Sequence, residues 1–205
     1  MKKKKITRKE TKKESFVFRN IIESWKYIKE SRNFIYFSIL AFAFFILFAL
    51  IFPVPSVIAE RIKELLLQLS NAVLGKNTFQ LIIFIFFNNL LASAVGLFLG
   101  VIFGIFPFFI AIYNGYVLGY VLKLVVGKIG FLEIWKLFPH GIFELPAVFI
   151  SLGLGIKLGA SLFAKNSDKE FLRRLKNSAR VFFFIVLPLL VIAAVIEGSL
   201  IKILG

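Results

Sequence analysis

The sequence predicts an all-α, polytopic membrane helical bundle with about five transmembrane helices plus interfacial amphipathic helices. Hydrophobic residues make up 59% of the 205 residues, and the mean hydropathy is +0.88. A soluble domain of this length could not bury that much apolar surface. The chain also contains five apolar stretches that, at a helical rise of 1.5 Å per residue, can each cross a hydrocarbon core of roughly 30 Å. Basic residues cluster in two segments outside these stretches.

Three regions follow from this pattern. Residues 1–14 are Lys-rich and predict a basic disordered tail, and residues 15–32 predict an interfacial amphipathic helix because apolar residues recur there at helical spacing among charged ones. Residues 33–205 form a single predicted membrane domain. Its spans are predicted at 33–52, 79–104, 107–126, 139–163 and 181–204.

Two further amphipathic helices are predicted between the spans. Pro53 and Pro55 end the first span. Residues 56–74 then have apolar residues on one helix face and mostly charged residues on the other, so this helix should lie on the membrane surface or over the bundle and not cross the membrane. Residues 165–180 should form a short surface helix, with Ser167 and Glu170 as a capping box. Each of these helices is a candidate docking site for a partner protein.

The positions of Lys and Arg predict the orientation of the bundle. Twelve of the 26 basic residues lie in residues 2–32 and six more lie in 165–180. Both segments should be cytoplasmic by the positive-inside rule, which places the N-terminus in the cytoplasm of a multi-pass protein of the cell membrane. The net charge of +15 is then mainly a topology signal. We therefore expect the lipid bilayer, and no nucleic acid, to be a partner.

Small residues recur every fourth position in three of the predicted spans. In transmembrane helices such spacing lets two backbones approach closely. The pattern could pack helices within one bundle or form the interface of a homodimer. The small residues are Ala92, Gly96, Gly100 and Gly104 in the second span, Gly115 and Gly119 in the third, and Ser151, Gly155 and Gly159 in the fourth.

Polar residues inside apolar spans are costly and are therefore candidates for function. The predicted intramembrane polar cluster consists of His140, Glu144, Glu197, Asn88, Asn89 and Asn114. His140 and Glu144 are four residues apart and would share a helix face. Pro146 lacks a backbone donor, so residues 139–146 are predicted to form a broken or re-entrant helix, and it stays open whether 129–146 spans the membrane or re-enters.

These residues carry a resemblance to a known family. The pieces are Asn88-Asn89, the Gly-rich stretch up to Pro107, Tyr-Asn-Gly at 113–115, Pro-His-Gly at 139–141 with Glu144, and Ala-Ala-Val-Ile-Glu at 193–197. Over about residues 80–200 the chain resembles the stage II sporulation protein M family. The resemblance implies an all-helical membrane protein and, in spore-forming bacteria, a scaffold alongside peptidoglycan hydrolases during engulfment. Other members occur in organisms that make no spores.

Three classes of function remain open from the residues. The first is a membrane scaffold or assembly component with membrane-associated protein partners. The second is a permease or channel for an ion or small solute, with Glu144 and Glu197 lining a polar cavity. The third is a divalent-metal site built from His140, Glu144 and Glu197, for which two copies of His140 could meet in a dimer. The chain has no cysteine and no His-Glu-x-x-His or Gly-x-Ser-x-Gly motif, so we expect no enzyme.

Overall fold

A computed structural model describes residues 15–130 and 138–204, without the side chains of 128, 129, 138–140 and 202–204. The predicted tail at 1–14 lies outside these ranges. The described chain contains eight α-helices: α1 Phe16–Glu30, α2 Arg32–Ile51, α3 Ser56–Val73, α4 Thr78–Phe98, α5 Ile105–Ile129, α6 Phe138–Gly159, α7 Ser167–Val181 and α8 Leu187–Leu204. Short 3₁₀ turns at Leu99–Val101 and Ala160–Phe163 follow α4 and α6.

Five helical segments are long and apolar enough to cross a membrane, which confirms the predicted all-α membrane bundle. They are Arg32–Ile51, Thr78–Val101, Ile105–Gly127, Gly141–Phe163 and Ser167–Ile201. Side chains that the protein leaves uncovered on these helices are mostly large and apolar, such as Leu40, Phe87 and Phe109. Such a surface is matched to lipid and would be costly in water.

Helix α6 lies at the centre of the bundle, with α8, α4, α5 and α2 packed around it. Its buried stretch from Ile150 to Gly159 is rich in glycine and leucine, and every residue there except Ile156 is buried. Small residues allow four neighbouring helices to approach one helix closely. The composition of α6 thus explains its central position.

The two ends of the bundle differ. Helices α1 and α7 pack against each other at one end, where Arg180 bonds to Glu23 at 2.6 Å. We call this end the basic end. Helix α2 runs from there to Pro53, and α3 follows at the opposite end, which we call the α3 end. On α3, Ile62 is the buried residue, so most of its apolar face is uncovered by protein.

Helix α1 turns a polar face toward the protein. Asn20, Ser24 and Tyr27 are buried, whereas Phe18 and Trp25 are exposed. An amphipathic helix at the membrane surface would place such apolar side chains among the lipid headgroups and upper chains. The helix is present as α1, and its interfacial position stays a prediction.

Three local predictions were wrong. Helix α6 runs unbroken through Pro146, whose exposed ring points out of the bundle, so the helix is not broken over 139–146. The helix predicted at 165–180 is present as α7, but it is not separate from the fifth span, because a π-helical turn at Phe182–Val186 joins α7 directly to α8. Asn166, and not Ser167, precedes the first residue of α7, and Glu170 bonds to arginine side chains instead of capping the helix.

Candidate functional site

Backbone contact between α4 and α6 sets the register of these two helices. Gly100 lies directly against the backbone of Gly155, and Gly96 lies against the side chain of Leu152. A side chain at Gly100 would overlap the Gly155 carbonyl. Toward the basic end, Gly104 has a φ of +70° and packs against Ile156 and Gly159, so a turn that favours glycine closes this crossing.

Helix α5 uses its glycines against α2 instead. Gly115 touches the backbone of Phe42, and Gly119 touches that of Ile46. The spaced small residues of all three spans therefore make contacts within this one chain, with the exception of Ala92, which is exposed. Helix α5 packs mainly against α2, whereas α4 packs mainly against α6 and α8. Helices α4 and α5 therefore diverge from the turn that joins them.

The register places two predicted site residues at the same depth. Asn88 lies twelve residues before Gly100 on α4, and Glu144 lies eleven residues before Gly155 on α6. Both helices run in the same direction, so equal numbers of residues give equal rises of 1.5 Å each. Asn88 and Glu144 are thus level to within about one residue.

Asn114 of α5 lies near the same level. Gly115 faces Phe42 on α2, and Gly153 of α6 faces Ile35, seven residues earlier on α2. Helices α2 and α6 run in opposite directions, so seven residues forward on α2 correspond to about seven residues back on α6. Phe42 is therefore level with a residue about seven positions before Gly153. Asn114 therefore lies within about one helical turn of the level of Glu144.

Two of the polar side chains point into the α4–α6 interface. Asn89 is buried and lies two turns before Gly96, and Glu144 is half-buried and lies three turns before Gly155. Residues spaced by whole turns share a helix face. Asn89 and Glu144 therefore lie on the two faces that meet at the glycine crossing, at matching depth.

The two remaining members of the predicted cluster lie nearer the α3 end. Glu197 is adjacent to Gly198, which packs against Ile82 of α4. It is therefore about five residues, or roughly 8 Å, from the level of Asn88. His140 lies in the first turn of α6, one turn from Glu144, and its side chain is outside the described residues. The six residues thus occupy two levels instead of one.

Asn88 and Asn114 are exposed although they lie at the depth of the spans. Asn114 donates to Ile110 O of its own helix at 2.8 Å, and Asn88 donates to Asn89 Oδ1 at 3.5 Å. In the described part of the chain, neither side-chain oxygen accepts a hydrogen bond.

The two amides lie on different helices. Asn88 and Ala92 lie on one edge of α4, away from α8, and Asn114 of α5 lies two turns after Pro107, which touches α6. We call Asn88, Ala92 and Asn114 the amide surface.

A second polar centre, which is not among the site residues predicted from the sequence, lies at the basic end. Lys157 of α6 is only 4% exposed. Its Nζ donates to Glu30 Oε1 and to Ser31 Oγ, both at 2.9 Å, and lies 4.1 Å from the centre of the Tyr27 ring. The signal was a single lysine in an apolar, glycine-rich run, which is the same argument that singled out Glu144.

Arginines of α7 extend this centre. Arg173 bonds to Glu30 and to Glu170, each at 3.1 Å, and Arg174 Nη1 donates to the carbonyl of Lys157 at 2.7 Å. Burial raises the pKa of the Glu30 carboxyl, but hydrogen bonds from Lys157 and Arg173 outweigh it and hold the pKa below its usual value. Glu30 thus joins α1 to both α6 and α7. We call Glu30, Lys157, Arg173 and Glu170 the ionic clasp.

A second lysine within a span was also missed. Lys123 of α5 donates to the carbonyl of Phe52 at 3.0 Å and reaches that of Ala49 at 3.5 Å. The last carbonyls of a helix have no partner within the helix. Lys123 therefore caps α2 at the α3 end, where Pro53 prevents the helix from continuing.

Metal binding is not supported by the described residues. Among the side chains that the structure describes, which do not include that of His140, no group of three His, Asp or Glu residues is close enough to hold an ion. Glu144 and Glu197 lie at different levels, as described above. A divalent metal at His140, Glu144 and Glu197 stays a prediction that depends on the side chain of His140.

The sequence of the chain is similar to that of known proteins. The chain is similar to an uncharacterized protein of Methanocaldococcus jannaschii, with 31% identity over 133 residues, which cover 62% of this chain and 58% of that protein. The chain thus spans less than two thirds of the length of this relative. No solved structure matches. The family model of Stage II sporulation protein M matches residues 37–200, which include all five apolar spans in whole or in large part. This chain therefore belongs to the stage II sporulation protein M family.

Proposed function

We propose that the protein is a non-enzymatic membrane scaffold that binds a membrane-spanning segment of a partner protein at the amide surface. The exposure of Asn88 and Asn114 at one depth within the spans carries this proposal. Polar side chains at such depth normally face a bundle interior or a partner. An amide that stays unpaired in an apolar surrounding costs at least about 1 kcal/mol.

A partner helix would remove this cost. Each amide keeps an oxygen that can accept a hydrogen bond, and Ala92 offers a small residue one turn from Asn88, where a second backbone can approach. Asparagine both donates and accepts, so the segment could belong to a second copy of this chain or to another membrane protein. A homodimer and a complex with another protein are then two outcomes of one experiment.

The rest of the bundle supports a scaffold better than a permease. The contacts of Gly100 and Gly104 with α6 leave no room between the two helices on the side of the basic end. The ionic clasp fixes α1 and α7 to the same rigid core. A solute path along Asn89 and Glu144 would have to open this crossing. We place the basic end in the cytoplasm of a cell membrane, following the distribution of Lys and Arg.

Cysteine cross-linking tests the proposal, because the chain has no cysteine of its own. A single cysteine at Ala92, labelled with benzophenone-maleimide and irradiated in intact membranes, should give one defined cross-linked product, because the activated benzophenone inserts into a C–H bond of whichever segment lies against it. The same product should be lost when Asn88 and Asn114 are both replaced by leucine. A cysteine at Phe44, an exposed position on α2, is the matched control and should give no product. Equal products from both positions would refute the amide surface.

A further inference from the structure

A large apolar groove lies on another side of the bundle, between α2, α5 and the first turns of α3. Its volume is about 1000 Å³, at the upper end of the roughly 300–1,000 Å³ typical of ligand pockets. Phenylalanines of α2 and residues of α5 form its walls, and Ile62 of α3 closes it on one side. The groove shares no residue with the amide surface.

The groove is long and runs along the spans. Gly115 of α5 faces Phe42 of α2. From that level, the wall residue Phe109 lies six residues toward the basic end, and the wall residue Phe52 lies ten residues toward the α3 end. At 1.5 Å per residue the groove extends for about 24 Å, most of the roughly 30 Å hydrocarbon core. This is the direction in which lipid chains lie.

Aromatic rings pack against one another along the walls of the groove. The Phe48 ring lies 4.6 Å from that of Phe52 and 6.4 Å from that of Tyr116. Such ring pairs add to the free energy of burial and limit side-chain rotation. The groove is therefore a preformed apolar surface lined by packed aromatic rings.

One cation lies at the α3 end of this groove. Arg61 is its basic wall residue, and its side chain is 78% exposed. The Nη1 atom pairs with Glu64 at 3.1 Å. A guanidinium has five N–H donors, so donors remain for a phosphate, which Arg can bind through two parallel hydrogen bonds. Arg61 lies in the second turn of α3, a helix that begins five residues after α2 ends at Ile51, and we infer that it reaches the level of the lipid headgroups.

We propose that this groove binds one phospholipid of the leaflet at the α3 end. An acyl chain lies along the wall of α2 and α5, and the phosphate bonds to Arg61. The apolar length matches a chain that runs parallel to the spans, and the charge at its end matches the phosphodiester. The lipid would also cover the apolar side of the first turns of α3, which little protein covers.

Native mass spectrometry of the purified protein in detergent tests this site. With palmitoyl-oleoyl phosphatidylglycerol, wild type should bind one lipid well above the nonspecific series. Ile112→Trp and Val57→Trp, which fill the groove from two different helices, should each weaken binding at least tenfold. Val57 is 71% exposed, so its replacement leaves the packed core untouched. Leu40→Trp, at a 67% exposed position outside the groove, is the control and should bind like wild type.

The headgroup is tested separately. Arg61→Gln should lower binding of phosphatidylglycerol to the level of diacylglycerol with the same chains, which lacks the phosphate. Equal phosphatidylglycerol binding by wild type, Ile112→Trp and Val57→Trp would overturn the groove site. Undiminished binding by Arg61→Gln would overturn the role of Arg61.

Discussion

The ionic clasp predicts that removing Glu30 harms the fold more than removing Lys157. Lys157 is buried and its ammonium depends on Glu30 for its charge partner, whereas Glu30 is 47% exposed and also bonds to Arg173. Glu30→Ala therefore leaves an uncompensated buried charge. Lys157→Met removes that charge, keeps a side chain of similar length, and leaves Glu30 with Arg173 and water.

The expected losses in the free energy of unfolding follow from how far Glu30 and Lys157 are exposed. Breaking a fully buried pair costs about 3–5 kcal/mol, and the partial exposure of Glu30 lets water replace some of the lost interaction. We expect Glu30→Ala to lower the free energy of unfolding by about 2 kcal/mol, and Lys157→Met by about 1 kcal/mol or less. The double variant should resemble Lys157→Met, which gives a coupling of about 2 kcal/mol in the mutant cycle.

Reversible unfolding in mixed micelles, followed by circular dichroism, measures these differences. Hydrogen exchange of α1 reports on the same contacts, because α1 should open first in Glu30→Ala. If Lys157→Met proves the more harmful change, or if the two effects simply add in the double variant, the description of Lys157 as a buried charge held by Glu30 is wrong.

Three further predictions concern the same contacts. Because the pKa of Glu30 is lowered in the folded protein, its stabilising effect is complete above its unfolded value of about 4.3 and is lost as pH falls through the folded pKa. The protection of α1 amides, corrected for the intrinsic exchange rate at each pH, should therefore fall below about pH 4 in wild type but not in Glu30→Ala. Gly115→Ala should lower the free energy of unfolding by about 1–3 kcal/mol, because the new methyl group would overlap the Phe42 carbonyl. Gly127→Ala is the control and should be neutral or slightly stabilising, because its methyl group meets nothing within 4 Å. Similar melting temperatures for the two variants would contradict the close α2–α5 contact. Lys123→Met should speed hydrogen exchange at the last turn of α2 and cost about 1 kcal/mol; an unchanged exchange pattern would remove Lys123 as a cap.

Much of the fold could be predicted because lipid restricts a chain to few solutions. A span needs about twenty apolar residues, and prolines and charged runs mark where it ends, so the helices were visible in the sequence. Counting residues from the span ends also gives comparable depths for Asn88, Glu144 and Glu197, whereas in the structure Glu197 lies about five residues from the level of Asn88. What counting could not supply was the facing of each side chain, which depends on which helices meet at the glycine crossings.

The errors have related physical causes. Residues 165–180 are charged enough to suggest a surface helix separate from the fifth span, whereas in the structure their charges pair with α1 and α6 at the basic end and the helix continues into α8. Pro146 suggested a break, but its ring lies on an exposed side of α6, where a missing backbone hydrogen bond disturbs no neighbour. Lys157 was missed because its partner, Glu30, is 127 residues away in the sequence.

The most direct test of the scaffold proposal is cysteine cross-linking at Ala92 in intact membranes, with Phe44 as the control position. The account predicts one defined product from Ala92, at twice the mass of the chain for a homodimer or at another fixed mass for a different partner. That product should disappear in the Asn88→Leu, Asn114→Leu background. No product from Ala92, or an undiminished product without the two amides, would contradict the account.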